Sequence, residues 1–382
     1  MLTLLRSLTS PLISLVFMMI ASGLFGTFTS IRLQMEGHTA EEIGIVTSAS
    51  YLGVLLGSIW IDRMICKIGH IRAFTACAAT LGFLALAQSL WVDTWYWSCL
   101  RMLGGMCMAG IFIVIESWFL IQSGPTMRGA ALSIYLAVFY AALSFGQLLI
   151  DIADPMGFFP FIITAGFSFL AIFPVLTSKI PIPPMPEHVK VSVSQLFKIS
   201  PLGFIGSVIS GILLATVYSL VPVYAKEIGM DLSQIGIFMA ILIFGGFCWQ
   251  LPIGRWADKT DRRKVLNITS FSAVILSLCL ASAAGFPYAV LCILAWFFGG
   301  VTFTLYPLSM AYACQNVKES QIVAVTGGFV LSYGLGAIVG PLAAPLSFAF
   351  LGSSGLFYFI AALCFILGFV GLKRPASVII DE

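Results

Sequence analysis

Residues 44–72 and 236–264 repeat one another at half the length of the chain. Shifting back by 192 residues carries Gly236 onto Gly44, Gly245 onto Gly53, Arg255 onto Arg63 and Lys259 onto Lys67. Both stretches are apolar runs ending in a basic loop, and the second closes on Gly254-Arg-Trp-Ala-Asp258-Lys-Thr-Asp-Arg262-Arg263-Lys264. A chain of 382 residues that repeats itself on apolar segments reads as two homologous helical bundles. The solvent of those bundles is lipid. Hydrophobic residues make up 60% of the chain and charged ones 9%, against roughly a quarter charged in a soluble domain.

Charges and Gly/Pro punctuation divide the sequence into twelve apolar segments: 9–31, 43–62, 71–90, 95–121, 129–151, 157–178, 201–225, 234–254, 265–285, 287–313, 321–350 and 354–372. Each is long enough to cross about 30 Å of hydrocarbon as a helix. The predicted fold is an all-α membrane protein with an N-terminal six-helix bundle (1–178), a cytoplasmic linker (179–200) and a C-terminal six-helix bundle (201–382). The linker carries Pro181, Pro183, Pro184 and Pro186, which favour an extended spacer, and Val189–Ile199 suits a membrane-surface segment. With both termini cytoplasmic, 16 of the 19 Lys and Arg face the cytoplasm, leaving Arg32, Arg101 and Lys226 elsewhere. Moving the basic loops across a bilayer is costly, so the sequence predicts that orientation. Trp91, Trp95, Tyr96 and Trp97 mark the outer interface before the fourth segment. His38, His70 and His188 all fall in predicted loops, and the nine cysteines lack C-x-x-C spacing.

The Gly254–Lys264 run resembles the loop signature of the major facilitator superfamily, G-x-x-x-D-(R/K)-x-G-R-(R/K), with Asp261 where that family's second Gly usually sits. Further stretches are similar to the bacterial YcaD-like branch of that superfamily: Gly69-His-Ile-Arg72, Glu116-Ser-Trp118, Gly146-Gln-Leu-Leu149, Pro252–Asp258, Thr304-Leu-Tyr-Pro307 and Gly336–Pro341. The resemblance implies an inner-membrane permease. It also implies a cytoplasmic gate, in which a loop carboxylate meets the N–H groups at the start of a facing helix. On this chain the gate candidates are Gly254, Asp258, Arg262 and Arg263 in the second half, with Asp258 expected near Arg128–Ala131. In the first half they are Asp62, Lys67, Gly69 and Arg72. That half departs from the pattern, with Asp62 where Gly is expected and Cys66 where Asp is expected. Either Asp62, one helical turn from Cys66, takes over the gating role, or this half has lost its lock.

Ionisable residues inside spans are expensive and are functional candidates by default. The fourth segment holds two, Arg101 toward its outer end and Glu116 toward its inner end. Fifteen residues separate them, about 22 Å of helix, so they do not pair. Arg101-x-x-Gly104-Gly105 followed by Ala109-Gly110 resembles the superfamily's pattern in this segment, whose Arg is implicated in proton coupling. The alternative is an Arg that snorkels to the outer interface. Glu116 either braces the closed gate by pairing with Arg72 or Arg128, or carries the proton.

The remaining polar candidates for a central cavity are neutral: Gln147, Trp249, Gln250, Tyr306, Tyr312, Ser332 and Tyr333. Each could instead serve as an interhelical hydrogen-bond partner, the commoner fate of membrane Gln and Ser. So little charge suits a neutral, aromatic or amphipathic solute. Gly336, Gly340 and Pro341 are candidate hinges. The fifth segment reads Ser144-Phe-Gly146-Gln147-Leu-Leu and lacks the Gly-Pro ending typical of drug/proton exchangers. No G-x-S-x-G, H-E-x-x-H or G-x-x-x-x-G-K-[ST] occurs, so neither an embedded hydrolase nor an ATP-driven pump is expected. The expected function is a secondary transporter coupled to protons. An uncoupled facilitator and a non-transporting sensor are the alternatives. No cofactor, metal or nucleic acid is expected; the expected partners are the solute, protons and the bilayer, around a monomer.

Overall fold

The computed structural model describes residues 2–122, 124–177, 193–282, 285–315, 317 and 319–373. Within these, the side chains of 2–7, 62, 120–122, 124–132, 193–194, 198 and 319–324 fall outside the description. Among the described residues there is no strand. The helices are α1 (Leu2–Met35), α2 (Ala40–Ile68), α3 (His70–Gln88), α4 (Thr94–Gln122), α5 (Gly124–Leu148), α6 (Phe159–Leu170) and α7 (Ile172–Leu176). They continue as α8 (Val193–Ile199), α9 (Pro201–Glu227), α10 (Leu232–Lys259), α11 (Arg262–Ala281), α12 (Tyr288–Cys314), α13 (Glu319–Ala343), α14 (Pro345–Leu351) and α15 (Gly355–Lys373). Twelve stretches among these are long and apolar enough to cross a membrane. They coincide with the twelve predicted segments to within a few residues. Two of them are split into two α-helices, α6/α7 and α13/α14, and the span of α5 ends in a 3₁₀ turn at Leu149–Asp151.

Two compact units emerge: Met1–Pro186 with Asp231–Ala240, and Glu187–Met230 with Ile241–Glu382. Most of the linker, residues 178–192, lies outside the described residues. The short helix α8 docks onto the second unit, where Leu196 is buried with Val325, Phe329 and Ala313.

The repeat is visible at the helix starts. Helix α2 opens with a reciprocal capping box, Thr39 Oγ1 accepting from Glu42 N and Glu42 accepting from Thr39 N. Helix α10 opens the same way 192 residues later, with Asp231 accepting from Gln234 N at 2.8 Å and Gln234 accepting from Asp231 N at 3.2 Å. Each box satisfies two donors that the helix itself leaves unpaired. Asp93, Ser200 and Asp261 cap α4, α9 and α11 through their side chains.

The repeat is equally visible where helices cross. In the first unit a Cβ on Gly53 would strike the Met102 carbonyl, and one on Gly105 the Ser50 carbonyl, so α2 and α4 touch backbone to backbone. In the second unit Gly245 stands against the Trp296 carbonyl and Gly299 against the Leu242 carbonyl, bringing α10 onto α12. Gly23 and Gly146 likewise bring α1 onto α5, and Gly211 and Gly336 bring α9 onto α13. Lipid tails are as apolar as the helices, so no hydrophobic effect drives the helices together. Close approach at small residues supplies the packing instead.

Candidate functional site

Arg101 sits on the eighth residue of α4 and turns toward α1. Its guanidinium carbon lies 5.2 Å from the centroid of Phe25. Its Nε is buried with no hydrogen-bond partner among the described residues. Tyr51 of α2 is within electrostatic reach. Phe25 lies ten residues inside the end of α1, about 15 Å along the helix. The guanidinium is thus engaged with a ring of α1.

Glu116 is exposed near the opposite end of α4. Its carboxylate accepts from Tyr135 Oη at 3.1 Å. Tyr135, on α5, is 4% exposed and packs edge-on against Phe119. The carboxylate therefore has one fixed donor and an open side. Arg72, one of its two expected partners, is exposed on the first turn of α3. The side chains of the other, Arg128, and of Asp62 lie outside the described residues.

Gln147 is held inside the first unit. It accepts from Thr27 Oγ1 at 2.6 Å and donates to the Gly23 carbonyl at 2.9 Å. Both ends of the amide serve the α1–α5 crossing, which is the packing alternative for a membrane Gln. In the second unit, Tyr306 and Tyr333 pack with centroids 4.9 Å apart, joining α12 to α13. Gln250 is half-buried and makes no hydrogen bond among the described residues. Trp249 packs on Phe297, Tyr312 is buried, and Ser332 bonds back to the Gly328 carbonyl. Gly336 and Gly340 stand against the Val208 and Ile212 carbonyls, with Pro341 next along α13. That gives the two glycines a packing role on α9.

The two signature loops close differently. In the first unit Gly69, at φ 82 and ψ 162, ends α2 and starts α3, its N–H bonding the Ile65 carbonyl. Lys67 and Arg72 flank it, exposed. In the second unit α10 ends at Lys259 beyond Gly254, and Asp261 caps α11 by accepting from Arg263 N at 2.9 Å. Asp258 and Arg262 form an ion pair at 3.0 Å, and Arg262 also donates to the Ala311 carbonyl of α12 at 2.9 Å. Arg263 donates to the Gly371 and Leu372 carbonyls at the end of α15. The two arginines tie the loop to the last turns of neighbouring helices, where carbonyls lack intrahelical donors.

Two expectations change. His70 is the first residue of α3, 2% exposed and 6.4 Å from the Trp118 ring, so it lies inside the protein and not in a loop. Trp97 is fully buried, donating to the Gln88 and Trp91 carbonyls, while Trp91 and Trp95 remain exposed as interfacial residues would. Phe25, Thr27 and Tyr135 were not singled out from the sequence. Apolar periodicity cannot tell which ring will meet a cation or which hydroxyl an amide.

The sequence profile of the Major Facilitator Superfamily matches residues 11–303 and 203–379. The MFS-type transporter YcaD of Escherichia coli, itself uncharacterised, is 30% identical over 356 residues, covering 92% of this chain and 91% of that protein. Among solved structures, a variant of the nucleoside transporter NupG superposes with a TM-score of 0.82 at 14% identity, covering 96% of this chain and 98% of that one. The D-xylose-proton symporter gives 0.73 at 15% identity, over 97% of this chain and 98% of that one. A bacterial homologue of the human lysosomal transporter Spinster gives 0.72 at 11% identity, over 96% of each.

Proposed function

Because the chain belongs to the major facilitator superfamily, we propose that it moves a small neutral or amphipathic solute across a bacterial inner membrane, coupled to protons. Alternating access between its two homologous units is the mechanism this reading entails. Both termini are cytoplasmic in it, as the distribution of Lys and Arg favours. The fold is shared with transporters of unlike solutes, so the substrate class has to be read from this chain's own side chains.

The observation that carries the proposal is the pair of unneutralised charges on α4. Arg101 rests on an aromatic ring with its Nε unpaired, and Glu116 is exposed with a tyrosine as its described donor. An acid with one donor and an open side can take up and release a proton, and Tyr135 positions it. Arg101 is the one basic residue deep within the apolar segments. A phosphate ester or dicarboxylate would want at least two such cations. The tyrosine pair of the second unit, with Gln250 half-buried on α10, suits an aromatic or amphipathic solute. In the same reading Asp258 and Arg262 form the cytoplasmic gate, and Arg263 holds its loop through the Gly371 and Leu372 carbonyls.

The test is purified protein in liposomes loaded with a pH-sensitive dye, challenged with neutral and zwitterionic metabolites and aromatic compounds. Substrate-dependent proton movement in the wild type, lost in Glu116→Gln while solute exchange survives, is the expected result. Solute flux with no proton movement at any imposed gradient would make the protein a facilitator. Loss of both activities together in Glu116→Gln would reassign Glu116 as a gate brace.

A further inference from the structure

An open groove of about 430 Å³ lies between α10, α11 and α12 of the second unit. Its walls are almost wholly apolar, with Trp249, Pro252 and Trp256 on α10, Ile268 and Leu276 on α11, and Phe297 on α12. Pro252 lacks the N–H that would bond the Cys248 carbonyl, which loosens α10 where the groove opens. Trp256, Ile268 and Phe297 remain 41–50% exposed in the whole chain.

The groove has a direction. Along α10 its lining falls at 249, 252, 253 and 256, one helical stripe, and the next position on that stripe is Lys259. Along α11 the lining falls at 268, 269, 272 and 276, and the stripe continues backward to Lys264. Both lysines are exposed. Of the five basic residues in this loop, Arg262 and Arg263 are spent on Asp258 and on helix-end carbonyls. Lys259 and Lys264 make no hydrogen bond or ion pair among the described residues. The deep end of the groove at Leu276 lies twelve residues from Lys264, about 18 Å of helix. One leaflet of hydrocarbon is about 15 Å deep.

We infer that the groove seats one acyl chain of an anionic phospholipid, with Lys259 and Lys264 holding its headgroup phosphate. The apolar trough runs about 12 Å along α11, and with the step to two uncommitted ammonium groups beyond its end the whole spans about one leaflet, which matches a lipid in both length and charge. It matches a soluble solute in neither. The lipid would lie beside the loop that carries Asp258 and Arg262, without drawing on either.

The test uses the full-length protein in nanodiscs containing brominated phosphatidylglycerol or brominated phosphatidylcholine at equal mole fraction, with Trp256 fluorescence taken as the difference between wild type and Trp256→Phe. Brominated phosphatidylglycerol should quench Trp256 about threefold more than brominated phosphatidylcholine, and the Lys259→Gln/Lys264→Gln double variant should abolish the difference. Native mass spectrometry supplies a second readout, a retained phosphatidylglycerol that the double variant loses and Arg63→Gln keeps. Equal quenching by the two lipids would overturn the proposal, as would a preference that survives the double variant. Protection of Trp256 from both brominated lipids would also overturn it, placing another occupant in the groove.

Discussion

The two signature loops occupy equivalent places in the repeat and are held shut by different chemistry. Shifting by 192 residues puts Gly69 against Asp261, Cys66 against Asp258 and His70 against Arg262. In the second half the chain turns with Asp261 in ordinary extended conformation, φ −69, and its carboxylate caps the next helix. In the first half no side chain caps the helix, and the turn relies on Gly69 at positive φ. Around the second turn, Asp258 and Arg262 pair and Arg262 reaches α12. Around the first, no acid stands at Cys66 and His70 goes inward beside Trp118. The first half therefore forms the turn without an acid at the place of Asp258; the side chain of Asp62, the other acid of that half's signature, lies outside the described residues.

The helix crossings, by contrast, are alike in the two halves, and breaking them should give the largest effect. Gly105→Leu would drive a side chain into the Ser50 carbonyl, and Gly299→Leu into the Leu242 carbonyl. Each backbone contact must open to admit it, at about 3 kcal/mol or more. Thermal unfolding of the purified protein should show equal losses for the two variants. Tolerance in one half only would show that the equivalence of the crossings is geometric and not energetic.

That contrast also explains what the sequence could reveal. Twelve spans and two bundles follow from apolar length and from the recurrence of Gly53 at Gly245, because lipid permits few other folds. Arg101 and Glu116 stood out because charge is rare in a span. Their partners did not stand out. Phe25 and Tyr135 are two among 32 Phe and 11 Tyr, and which of them meets a charge is fixed by helix rotation. Gln147 was legible as a polar residue needing partners on both ends of its amide. That those partners would be Thr27 and Gly23 depends on a crossing the linear sequence does not contain. His70 was misplaced for a related reason: Gly69 before it reads as a loop, yet a single glycine suffices to join two helices.

The turns themselves come next in size. Gly69→Ala places a Cβ at φ 82 and ψ 162, a region nearly closed to L-residues, and should cost about 1–3 kcal/mol. Asp261→Gly removes a cap but leaves permissive backbone, so a few tenths of a kcal/mol is expected there. Comparable losses at the two sites, measured in the same unfolding assay, would mean that the turns are not closed in different ways after all.

A smaller difference lies at the α1–α5 crossing. With the crossing glycines aligned, Gly23 on Gly211 and Gly146 on Gly336, the places of Thr27 and Gln147 are taken in the second unit by Ala215 and Ala337, both fully buried. The double variant Thr27→Ala/Gln147→Ala would therefore make the first crossing resemble the second. Removing an interhelical amide bond in this way should cost about 1 kcal/mol and leave solute affinity unchanged. A raised KM at unaltered stability would return Gln147 to the list of groups that touch solute.

The smallest expected effect has the opposite sign. His70 is 2% exposed, and both its ring nitrogens are buried with no hydrogen-bond partner among the described residues. Trp118 Nε1 beside it is in the same condition. Burying an unpaired polar group costs about 1–3 kcal/mol, so His70→Phe removes a penalty and keeps an aromatic ring against Trp118. Stability should stay level or rise by up to about 1 kcal/mol. At the equivalent place in the second half, Arg262→Leu removes a partner from both Asp258 and the Ala311 carbonyl, and stability should fall. Opposite signs at two positions 192 residues apart would show that the first half has given up the interaction and kept the buried site. If His70→Phe instead lowers stability as Arg262→Leu does, the imidazole has a partner worth keeping, and the first half holds a lock of its own kind.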